Sequence, residues 1–89
     1  MKVTEEEKRL KLAADASYGA QCRMVLNSAP FQNAFLEMKS ELLKKFESIG
    51  SNQIEDLQEA HRTYKNLAVL EKYFEKHISR GDAAINRLN

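Results

Sequence analysis

Two interruptions constrain what this chain of 89 residues can fold into. Helical periodicity breaks at Asn27-Ser28-Ala29-Pro30 and again around Gly50-Ser51-Asn52. Elsewhere breakers are scarce: the sequence holds three glycines and one proline. A β-sandwich needs many turns and a disordered chain needs few apolar residues, so neither fits. The expectation is an all-α, three-helix small domain, single over residues 1–89.

The first helix is expected over about 5–26. Thr4-Glu5-Glu6-Glu7 reads as a capping box, with three acids at the positive end of the helix dipole. Its apolar arc holds Leu10, Ala13, Ala14, Tyr18, Ala20, Met24 and Val25, with Leu12, Cys22 and Leu26 outside it. Gly19 falls opposite that arc, where it costs about 1 kcal/mol relative to alanine and invites a bend. The alanines of the arc suit close approach to a neighbouring helix.

Ser28 and Pro30 suit the start of a second helix, about 29–49. Phe31, Ala34, Phe35, Met38, Leu42, Phe46 and Ile49 recur on one face, the cleanest stripe in the chain. Gly50 reads as a left-handed terminator, with Ser51 or Asn52 capping a third helix, about 53–79, and Asn52-x-x-Glu55 a possible capping box. So short a connection makes the second and third helices an antiparallel hairpin. The third helix answers with Leu57, Ala60, Tyr64, Leu67, Ala68, Phe74 and Ile78. Glu71 lies inside this stripe and needs solvent or a cationic partner. Gly81 is expected to end the helix, with Asp82 capping a short C-terminal helical turn whose Ile85 and Leu88 fold back.

Charge gives little. Fourteen lysines and arginines face thirteen aspartates and glutamates, and the two halves are balanced. No basic tract exists, so nothing calls for nucleic acid. Cys22 is alone and excludes an intrachain disulfide. No run of about 18 apolar residues suggests a membrane span, and no secretion signal is expected. His61 and His77 stand too far apart on one helix to share a metal, and no phosphate loop or nucleophile motif occurs. The reading is therefore no enzyme, no cofactor and no metal.

The informative excess is apolar. Leu36, Leu43, Val69, Leu70, Tyr73 and Phe74 exceed what one hairpin contact uses, and Tyr73 and Phe74 suit an interface anchor. Either the N-terminal helix and the C-terminal turn cover this surplus, or another chain does.

Three stretches resemble a family of small tailed-bacteriophage proteins encoded near head and packaging genes, whose function is undefined. They are Ala20 and Cys22 running into Val25-Leu26-Asn27-x-x-Pro30, the segment Phe31-Gln32-Asn33-Ala34-Phe35, and Gly81-Asp82-Ala83-Ala84-Ile85-Asn86-Arg87-Leu88. The chain lacks that family's tryptophans, with Phe46 at one such place. The resemblance implies a phage source and a place in the host cytoplasm or the virion. With the apolar surplus, it suggests a homo-oligomeric accessory or assembly protein acting through helix contacts. Open beside it are an inhibitor of a host or defence protein and a DNA-associated packaging accessory.

Overall fold

A computed structural model describes residues 3–50 and 52–89. The described chain is three helices and no strand: α1 (Glu5–Leu26), α2 (Ala29–Ser48) and α3 (Ile54–Leu88). None is long and apolar enough to cross a membrane. At about 1.5 Å per residue α3 is roughly 52 Å long, and it is the spine. Its first half pairs with α2 and its second half with α1.

The hairpin of α2 and α3 forms from part of the expected stripes, with Ala34, Met38 and Tyr64 left exposed. Phe35, Leu42, Ala60 and Leu67 make the buried core, with Phe31, Phe46 and Ile49 packed against it. Phe31 meets Phe74 edge-on at 5.1 Å between ring centroids, while Leu42 lies beside Ala60 and Thr63, so the helices run antiparallel. Burying Phe35, Leu42 and Leu67 stabilises the hairpin by about 1.5–3 kcal/mol per side chain. Glu71 finds its partner: Lys39 Nζ lies 2.6 Å from its carboxylate.

The connection differs from the expected glycine turn. Gly50 does not adopt a positive φ, and neither does any other described residue. Ile49 instead leaves α2 in extended conformation. Gln53 then closes the turn, accepting the Gly50 N–H on its side chain at 2.7 Å and donating its own N–H to the Gly50 carbonyl at 2.9 Å. Gln53 is therefore the N-cap of α3, and the Asn52–Glu55 box does not form there. The alternative cap, Ser51, lies outside the described residues. At the other junction Ser28 is the N-cap of α2 by position, but its hydroxyl donates back to the Val25 carbonyl. The Thr4 cap stands, accepting the Glu7 N–H at 3.1 Å.

α1 and α3 approach each other closely, and glycine permits it. Gly19 and Gly81 cross backbone to backbone. A Cβ on Gly19 would lie 2.8 Å from the His77 carbonyl oxygen and 2.9 Å from the Gly81 Cα. A Cβ on Gly81 would lie 2.9 Å from the Gly19 Cα. Gly81 thus does not terminate α3; its missing side chain is what lets α3 pass α1. The helix runs on to Leu88, so there is no separate C-terminal turn, and Asp82 pairs with Arg23 at 2.8 Å instead of capping. Gly19 likewise leaves α1 uninterrupted.

The packed face of α1 is not its apolar arc. Gly19 and Cys22 are buried, and Leu12, Asp15, Ala16 and Leu26 are half-buried, all at helical spacing. Leu10 and Met24, both in the arc, are 65% and 74% exposed. Close crossing requires small residues, and the arc offers bulky ones.

The result is an open, flattened molecule with Cα extents of 60 × 33 × 14 Å. Its radius of gyration is 19.0 Å, against about 12 Å for a compact chain of this length. It exposes 7323 Å², against about 5300 Å² for a compact monomer of this mass.

The crossing generates a prediction in thermal melts followed by circular dichroism. Gly19→Ala gains helix propensity worth about 1 kcal/mol but must separate two backbones, and it should be net destabilising by about 1–3 kcal/mol. Gly50→Ala should be nearly neutral, because the nearest atom to its Cβ belongs to the Asn52 side chain, which can move. Equal effects at the two positions would contradict the crossing.

Candidate interaction faces

A flattened molecule has two broad faces, and the residues singled out from sequence divide between them. Leu36 and Leu43, seven apart, share one side of α2 and are 64% and 63% exposed. Leu36 lines a groove with Phe31, Gln32, Lys39 and Glu71. Tyr64 and Ala68 of α3 line the adjoining groove with the same Lys39 and Glu71. The Lys39–Glu71 pair therefore occupies the middle of this first face. Arg23 and Asp82, a bidentate pair at 2.8 and 2.9 Å, are both more than half exposed. Such a pair contributes about 0–1 kcal/mol.

The second face is more apolar. Met38, Leu42 and Leu67 line a groove with Thr63, rimmed by Glu41 and Lys45. Leu70 and Tyr73 continue the Thr63 and Leu67 side of α3 at steps of three residues. Tyr73 then reaches α1. Its hydroxyl is 2.6 Å from that of Tyr18, and both rings pack on His77, at 4.5 Å for Tyr73 and 4.9 Å for Tyr18.

Leu70 and Tyr73 thus lie on one face, and Leu36 and Leu43 on the other. Val69 points away from α2 and is 64% exposed. Phe74 is half-buried between Phe31 and Tyr73, so it packs within the chain rather than outward. Met38 and Tyr18 were not among the residues singled out, although they complete the second face. Met38 was assigned wholly to the hairpin stripe, and Tyr18 to a helix whose packed face was inverted.

Sequence reading also missed a basic groove. Lys8, Arg9 and Lys11 of α1 face Arg80 and Arg87 of α3 across an open groove of about 820 Å³, together with Glu5, Asp15, Leu12 and Leu88. The two arginines are distant in sequence, so no local run announces the cluster. Among the described residues no group of three or more His, Cys, Asp and Glu side chains is placed to hold a metal ion.

Two groups carry shifted protonation. The hydrogen bond to Tyr73 and desolvation push the Tyr18 hydroxyl up to about 12. The hydrogen bond from Lys39 to Glu71 raises the lysine above its ordinary value, outweighing the desolvation that lowers it. Both shifts are upward, so both contributions to stability are complete below the unfolded values near 10 and are lost as pH rises through the folded ones. A spectrophotometric titration of tyrosinate should show one tyrosine ionising near 12, and Tyr73→Phe should return it toward 10. An unchanged high value in that variant would rule out the hydroxyl pair as the cause.

Compared with known proteins, the chain matches no protein-family model, no curated protein and no solved structure.

Proposed function

We propose that this chain is a non-enzymatic helical protein that self-associates and works through helix-mediated protein contacts, as a small accessory or assembly factor of a tailed bacteriophage. The observation that carries the contact reading is the unfinished burial. The slab exposes 7323 Å², roughly 2000 Å² more than a compact monomer of its mass. Obligate dimers bury about 1000–2500 Å² per chain, so the excess is of the size that another chain covers. Its six buried apolar residues and half-buried stripes give little independent stability, and a partner that binds only the folded chain adds to it. The phage source rests on the resemblance of the segments around Val25-Leu26-Asn27, Phe31–Phe35 and Gly81–Leu88.

The basic groove favours one second reading, a DNA-associated packaging accessory. Five cations against two carboxylates form a local positive field that the near-neutral total charge hides.

Sedimentation velocity across a wide concentration range tests the first reading. A dimer or larger species at micromolar concentration is expected, with thermal stability rising with concentration. A strict monomer at high concentration would remove self-association. For the second reading, anisotropy of a labelled duplex should show binding that weakens steeply with salt and with Arg80→Glu plus Arg87→Glu. No binding at low salt excludes it.

A further inference from the structure

We propose that a second copy of this chain covers the face that runs from Met38 through Leu70 and Tyr73 to Tyr18, so that two slabs pair face to face through it. This rests on the reading that the chain self-associates, and adds where.

The exposures mark the face. Met38, Leu70, Tyr73 and Tyr18 are 42%, 41%, 43% and 41% exposed. Each is thus half-covered by its own chain and half open; Met38 borders the buried Leu42 and Leu67, and the two tyrosines close on His77. This is the form of a core cut along its middle, unlike single apolar residues scattered over a surface. Tyrosine and methionine are also enriched where proteins meet. One tyrosine hydroxyl already donates to the other, so only one of the two O–H donors needs a partner when the face is covered.

The opposite face is a poorer candidate. Its centre holds the Lys39–Glu71 pair, with side chains 45% and 33% exposed. Covering an ion pair removes hydration that its mutual attraction does not fully return. Leu36 and Leu43 stand out to one side of it.

A second copy is favoured as occupant by charge and by area. The rim of the face carries both signs, Glu41 and Lys45, and the whole chain has a net charge of +1. Identical copies therefore meet without strong repulsion, as proteins near neutrality do. An acidic or basic partner would find no single sign of charge along this rim. The roughly 2000 Å² exposed beyond a compact monomer's surface exceeds the about 800 Å² per partner that a standard interface covers.

The test compares substitutions on the two faces by sedimentation velocity, with circular dichroism as the check on folding. Met38→Glu and Leu70→Glu should weaken self-association at least 100-fold while helicity is kept. Leu36→Glu and Leu43→Glu should change it less than about threefold. Where Leu70→Glu costs helicity, Leu70→Gln gives the same readout with a milder change and should still weaken assembly at least tenfold. A wild-type chain that is monomeric throughout overturns both the self-association reading and this one. A wild-type assembly that survives the Met38 and Leu70 variants, or is weakened equally by both pairs, overturns the face alone.

Discussion

The contact between Gly19 and Gly81 is the constraint on which the other arrangements depend. It brings two backbones to a distance that any Cβ would forbid. At that distance Cys22 and Ala84 become buried beside the crossing, and Tyr18 reaches Tyr73 and His77. Arg23 reaches Asp82 from the same helix. The same contact explains why α3 does not stop at Gly81. Helical propensity disfavours glycine by about 1 kcal/mol, and close packing along the α1 crossing offsets that cost.

The spine consequently has two unlike halves. Toward α2 the spacing is set by Phe31, Phe35 and Phe46, which hold the helices apart and fill the space between. Toward α1 the spacing is set at the crossing by two glycines with no side chain between them. α1 and α2 lie along successive lengths of α3 and scarcely touch each other, so each broad face is left partly uncovered. The 14 Å thickness is the direct result. Packed across the hairpin, α1 would have made a compact bundle; here it is used along the spine.

The hairpin was legible because its determinants are local and apolar. The Phe31-to-Ile49 stripe and the stripe from Leu57 to Ile78 announce themselves at helical spacing, and the helix starts follow from Thr4, Ser28 and Pro30. The face of α1 was not legible by the same means. Hydropathy weighs what a side chain adds, while Gly19 acts through what it lacks. A signal was present all the same: Gly19-x-x-Cys22 and Gly81-x-x-Ala84 are matched small pairs, and Leu12, Asp15, Ala16, Gly19, Cys22 and Leu26 fall on one face. Reading Gly81 as a terminator used a rule that holds for exposed helix ends. The basic groove was hidden for a different reason, since Arg80 and Arg87 join Lys8, Arg9 and Lys11 only through the crossing.

That dependence links the glycines to the second face. Tyr18 is supplied by α1, and Met38 with Leu42 by α2; only α3, with Leu67, Leu70 and Tyr73, joins them. If the α1 crossing widened, the Tyr18–Tyr73 hydrogen bond would lengthen and the face would lose its far end, although the hairpin core stayed intact. The backbone contact therefore does more than hold α1 in place. It decides whether three helices present one continuous apolar surface or two separate ones, and only the continuous surface is long enough to be covered as a unit.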